Sequence, residues 1–160
     1  MCSSDLSHRI RLLVARDGTF EVQHFPMDSD LTGIYRVRLA EEPVDSQDTF
    51  LFHKTTHRPA YEKAKAACPG CDEVILWNER GEVTEGCIAN VVIRKNGRLI
   101  TPPVECGLLA GVFREHLLKN GEIEEGIVTV DELRAADEVF LVNSVRKWHK
   151  AKWAEEESKA

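Results

Sequence analysis

The stretch that decides the fold is "EVILWNERGEVTEGCIANVVIRKNGRLITPP", residues 73 to 103. Its apolar runs are rich in β-branched residues, and they are separated by Arg80-Gly81 and Asn96-Gly97, pairs suited to tight hairpin turns. A meander of three strands is predicted. Upstream, "RPAYEKAKAAC" at 58 to 68 reads as a short helix, because Pro59 is tolerated in a first turn and Pro69-Gly70 supplies a stop. "FLFHKT" before it is apolar and reads as a strand ending near Lys54. "EEPVDSQDT" is a polar connector, and residues 9 to 40 alternate around Asp17-Gly18 as the strands of a small sheet.

Downstream, "LLAGVFREHLLKNG" puts Leu108, Val112, Leu117 and Leu118 roughly on one helical face and stops at Asn120-Gly121. "GIVTV" reads as a strand and "TVDELRAA" as a short helix capped near Thr129 or Asp131. "EVFLVNS" reads as a buried strand, and the charged tail from Ala154 is expected to fray. Hairpin-linked strands with interspersed short helices indicate an α+β architecture rather than a doubly wound sheet.

Composition narrows the function classes. Hydrophobic residues make up 42% and charged residues 30% of 160, which supports a globular core and suggests neither disorder nor a repeat array. A net charge of -6 argues against nucleic-acid or anionic-membrane partners. No apolar run reaches membrane-spanning length and no signal peptide is recognisable, so a cytoplasmic location is expected. The five cysteines suit reduced thiols. Cys68 and Cys71 in "CPGC" have redox or zinc spacing, but the helix precedes the motif and no second pair completes a metal site, so a turn is predicted and no metal.

Three positions suggest chemistry. Lys54, at the end of an apolar run, is placed to be a desolvated amine nucleophile, although lysines after such runs commonly snorkel to solvent. Glu85 lies just past a strand among small residues, where a plain hairpin carboxylate is the simpler reading. Gly111 opens a helix whose free N–H groups suit a phosphate, as do those of many helices that bind nothing.

Taken in order, "HKTTHR", "NERGEVTEGCIANVV", "TPPVECGLLAGVFRE" and "ADEVFLVNSV" resemble the large C-terminal domain of the class IV aminotransferases, the fold-type IV pyridoxal-phosphate enzymes. The resemblance covers about residues 50 to 146 and is strongest to the aminodeoxychorismate lyase branch, especially the lyase portion of proteins fused to an aminodeoxychorismate synthase subunit. It implies that Lys54 forms the Schiff base with pyridoxal 5'-phosphate and that Glu85 pairs with the pyridine nitrogen. The backbone of Val112 and Phe113 and the hydroxyl of Ser144 would meet the cofactor phosphate, with Asn90 in a supporting role. The implied reaction converts 4-amino-4-deoxychorismate to 4-aminobenzoate and pyruvate in folate biosynthesis, by a homodimer.

Some positions depart from the pattern. His57 stands where relatives commonly have asparagine, and Ala110 where proline often precedes the glycine. Pro59 falls where branched-chain aminotransferases place a tyrosine, which favours the lyase over that transaminase; the alternative activity is a branched-chain or D-amino acid aminotransferase. Residues 9 to 45 resemble only the last strands of the relatives' small domain, so a truncated chain is expected, with 46 to 153 as the cofactor-binding domain and 154 to 160 as a tail. "CSSDL" at 2 to 6 matches the peptide encoded by a sequencing-adapter end, so residues 1 to 8 are expected to be a non-native or disordered tail. In a competing class of function, the chain is an inactive interaction or cofactor-binding module that uses the apolar surface left by the missing segment.

Overall fold

The computed structural model describes residues 8–27 and 33–154. The adapter-like start and most of the charged tail lie outside the described residues. Two compact units divide at Gly33 and Ile34. The first contains an antiparallel hairpin of β1 (His8–Val14) and β2 (Phe20–Pro26), with Leu12 opposite Val22 and Val14 opposite Phe20. Asp17 shapes its turn by accepting from the Thr19 N–H at 3.0 Å and hydroxyl at 2.7 Å. Ile10, Leu12, Val14, Phe20 and Val22 are exposed.

The second unit holds the remaining strands and all three α-helices of the described residues. In chain order these are β3 (Tyr35–Leu39), α1 (Pro59–Ala67), β4 (Glu73–Trp77), β5 (Val83–Gly86), β6 (Asn90–Lys95) and β7 (Arg98–Thr101). There follow α2 (Val112–Lys119), β8 (Glu124–Glu125), α3 (Val130–Arg134), β9 (Glu138–Asn143) and β10 (Lys147–Trp153). The strands are ordered β5-β4-β3-β10-β9-β6-β7-β8, and a further pairing of β5 with β6 closes the first six into a ring. One edge of β6 is shared, since Asn90 pairs with Glu85 of β5 while Ile93 to Lys95 pair with β7. Closure leaves those six strands without a free edge over the paired segments.

Strand alternation sorts the core. Val37, Ile75, Val83, Val91, Ile93, Leu141 and Ala151 form one buried cluster, which Val128 and Leu133 join from the segment around α3. The intervening residues face outward, Val74 and Leu76 against Tyr61 and Ala64 of α1, and Val92 and Val142 against Leu117 of α2. Each fully buried aliphatic side chain contributes about 1.5–3 kcal/mol relative to exposure.

Several local expectations hold. Pro59 begins α1, and Cys68 ends it with Gly70 at φ +79°; Cys68 and Cys71 are free thiols in that turn. Thr129 caps α3 in a capping box with Glu132.

Others are corrected. "FLFHKT" is not a strand: Thr49–Leu51 is a 3-10 turn, Asp48 accepts from the Phe50 N–H, and the chain continues irregularly through an exposed Lys54. The run over 82 to 95 is two strands, because the chain folds back at 87 to 89, so residues 73 to 103 form four strands, β4, β5 and β6 in the closed ring and β7 beside it, and not a three-strand meander. "GIVTV" supplies only an isolated bridge from Thr129 to Glu82, and the short strand lies earlier, at β8. Val112 points to solvent at 74% exposure, outside the apolar face assigned to it. "GIYRVRLA" joins the large sheet as β3, parallel to β4 and β10. β10 itself was hidden by its lysines: Ala151 and His149 are buried while Lys147 and Lys150 face water.

Candidate functional site

The site is built where β5 meets β6. Glu85 is 4% exposed, and its Oε1 accepts from the Tyr61 hydroxyl at 2.6 Å and the Leu109 N–H at 3.0 Å. Its Oε2 has one long contact, from Asn90 Nδ2 at 3.4 Å. Burial pushes the Glu85 carboxyl up to about 7, against the lowering effects of those hydrogen bonds and of the Arg58 and Lys54 charges. Such a carboxyl exchanges its proton near neutrality, a property common at functional sites.

Asn90 links this carboxylate to the next element. Its Nδ2 donates to the Leu109 carbonyl at 2.8 Å, and a Cβ placed on Gly111 would lie 2.2 Å from its Oδ1. Glycine at 111 therefore allows the start of α2 to approach the β5–β6 pairing. Gly111 is the N-cap of α2 and offers no side chain, so the first N–H groups, those of Val112 and Phe113, are left without a side-chain cap.

Two turns border these groups. Glu73, wholly buried, accepts from the N–H groups of Cys87 at 3.0 Å and Ile88 at 3.1 Å, which fixes the chain between Glu85 and Asn90. Burial raises its carboxyl nevertheless. Asn143 at the end of β9 accepts from the N–H groups of Val145 and Arg146 and donates to the Ile88 carbonyl at 3.4 Å, so the exposed turn carrying Ser144 is tied to the turn after β5. Lys147 places its ammonium 4.6 Å from the centre of the Phe113 ring, joining that turn to α2.

The structure thus brings Glu85 and Asn90 into contact, sets Gly111, the residue before Val112 and Phe113, against Asn90, and connects Ser144 through its neighbours. Lys54 stands in the loop before α1, near enough for its charge to act on Glu85. It is exposed, so the expected desolvation at a strand end is not found. Four contributors had not been singled out: Tyr61, Arg58, Leu109 and Glu73. Tyr61 falls on the apolar spacing of α1 with Ala64 and Cys68, which marks it as core and conceals the hydroxyl contact made to a residue 24 positions away. Arg58 lies over the Tyr61 ring at 4.2 Å and donates to the Cys87 carbonyl.

A buried carboxyl pushed toward neutrality, a nearby primary amine and an uncapped helix start, carried on a strand ring with outer helices, are groups of the kind that suit an anionic, nitrogen-containing ligand. The chain belongs to the amino-transferase class IV family, whose model matches residues 2–152. A Schizosaccharomyces pombe relative named "Putative aminodeoxychorismate lyase" is 34% identical over 147 residues, 87% of this chain and 64% of that protein. Thus the chain spans less than two thirds of that relative. The solved structure of a "Putative amino-acid aminotransferase" from Mesorhizobium loti matches with a TM-score of 0.88 at 39% identity, over 95% of this chain and 75% of the other. A branched-chain amino acid aminotransferase from Thermobaculum terrenum in its PLP form matches with a TM-score of 0.68 at 25% identity, over 86% of this chain and 50% of the other. The fold is that of the fold-type IV enzymes, and the family implies pyridoxal phosphate. No helix among the described residues is long and apolar enough to cross a membrane.

Proposed function

We propose that this chain is the cofactor-bearing part of an aminodeoxychorismate lyase, converting 4-amino-4-deoxychorismate to 4-aminobenzoate and pyruvate. The observation that carries the cofactor reading is Glu85: a carboxyl held on Oε1 by two donors, with capacity left on Oε2, suits a protonated ring nitrogen. The uncapped start of α2 fits a phosphate, and Gly111 is the close approach that a larger residue would fill. When bound, pyridoxal phosphate supplies an aldehyde for amines and a protonated pyridine that accepts an electron pair.

The chain's own groups would divide the remaining work. Lys54 would supply the amine for the aldehyde and, when free, would take the proton from the substrate ring carbon that bears the amino group. Glu85 would pair with the pyridine nitrogen and favour its protonated form. The N–H groups of Val112 and Phe113, with the Ser144 hydroxyl, orient the phosphate, while Asn90 holds Glu85 and the segment before α2 together. Loss of the enolpyruvyl group as pyruvate leaves an aromatic ring, which drives the reaction forward.

Support for the lyase comes from the fission-yeast relative and from Pro59 at the position where the branched-chain enzymes carry tyrosine. The structural neighbours named as aminotransferases support a second reading, in which the same groups would serve transfer of an amino group and release of a keto acid. The test titrates the purified chain with pyridoxal phosphate, reduces with borohydride, maps the labelled peptide, and compares Lys54→Ala. A saturable visible band with label on Lys54 is expected, and label scattered over surface lysines would overturn the cofactor reading. Incubation with 4-amino-4-deoxychorismate should release equal amounts of 4-aminobenzoate and pyruvate; transfer to a keto acid without 4-aminobenzoate would select the aminotransferase.

A further inference from the structure

Glu85 has two oxygens in unequal surroundings. Oε1 receives the Tyr61 hydroxyl at 2.6 Å and the Leu109 N–H at 3.0 Å, whereas Oε2 has only the 3.4 Å contact from Asn90. A carboxylate oxygen accommodates about two donors in its plane, so Oε1 is filled and Oε2 is the free acceptor. We propose that Tyr61 is a positioning residue for Glu85: its hydroxyl, donating to Oε1 alongside the Leu109 N–H, fixes the carboxylate so that Oε2 remains open to a ligand N–H. This inference deepens the cofactor reading and rests on it.

The surroundings of Tyr61 suit the task. It is 7% exposed, and burial first, then the charge of Glu85, raises its phenol above the ordinary value, so the hydroxyl stays a donor through the neutral range. Arg58 covers its ring at 4.2 Å and is anchored on the Cys87 carbonyl, which limits rotation of the ring. The groups acting on Glu85 come from separate elements: Tyr61 from α1, Arg58 just before it, Lys54 from the preceding loop, the neutral Asn90 from β6 and the Leu109 N–H from the segment before α2. Tyr61→Phe removes one of them while preserving the ring under Arg58.

The experiment follows the Glu85 carboxyl by carbon-13 NMR in the cofactor-free chain, assigned by its disappearance in Glu85→Gln. Tyr61→Phe should raise its titration midpoint by about one pH unit, because a hydrogen bond to the ionised form is lost. In the same variant, uptake of pyridoxal phosphate on Lys54 should weaken by about tenfold. Should Tyr61→Phe fold poorly, fluorotyrosine at position 61 in a Tyr35→Phe background gives the converse test: a more acidic donor should lower the midpoint. A role confined to packing would leave the midpoint in place, and an unchanged midpoint overturns the proposal. Failure of the wild-type chain to take up the cofactor would refute the reading beneath it, and the cofactor-free titration distinguishes the two failures.

Discussion

Gly111→Ala isolates the contact that holds the site's two halves together. Gly111 has φ -68° and ψ 137°, which alanine adopts freely, so any large effect comes from the new methyl and not from backbone strain. That methyl would sit 2.2 Å from Asn90 Oδ1, short of van der Waals contact by roughly 1 Å. Asn90 is 5% exposed and has little room to retreat. A displacement of that size carries its 2.8 Å bond to the Leu109 carbonyl beyond hydrogen-bonding range and separates it further from Glu85. Loss of a buried hydrogen bond costs about 1–3 kcal/mol and overpacking a similar amount, so unfolding in urea should show a loss of about 2–4 kcal/mol. Asn90→Ala removes the obstruction, and Gly111→Ala added to it should cost less than about 1 kcal/mol. Tryptophan fluorescence and circular dichroism suffice to measure the cycle. Additive effects, or a single-mutant loss below about 0.5 kcal/mol, would refute the contact.

Stability should also depend on pH through Glu85. Its folded pKa, about 7, lies above the ordinary 4.5, so the native state binds a proton more tightly than the unfolded chain. This group's contribution is most favourable below about pH 4.5 and is lost as pH rises through 7, by about 3 kcal/mol in all. Glu85→Gln should flatten that slope between pH 5 and 7 in urea titrations, and an unchanged slope would assign it to other groups, Glu73 first. At α3, Thr129 accepts from the Glu132 N–H at 3.2 Å while Glu132 accepts from the Thr129 N–H at 2.9 Å. Thr129→Ala should cost about 1 kcal/mol and Thr129→Ser much less; equal losses from both would show that the methyl, not the cap, carries the effect.

Local signals were legible wherever the chemistry is local. Pro59 and Pro69-Gly70 bound a helix, Thr129 and Glu132 open another, and Asp17-Gly18 makes a hairpin, because each acts within a few residues. The motifs around Lys54, Glu85, Asn90, Gly111 and Ser144 were likewise visible, through their order along the chain. Strands were misread where polarity or an apolar run misled. β10 places lysines on its solvent side, and "FLFHKT" buries Leu51 in a turn.

The sequence by itself determined the short helices, the turns, the α+β class and the residues that could carry chemistry, since propensity and spacing are properties of neighbouring positions. Only the tertiary structure decided what those residues are to one another. Closure of the strand ring sets Asn90 opposite Glu85, and the packing of α1 against Val74 and Leu76 brings the Tyr61 hydroxyl onto the same carboxylate. Burial there moves a carboxyl toward neutrality, a shift that depends on water excluded by elements far apart in the chain.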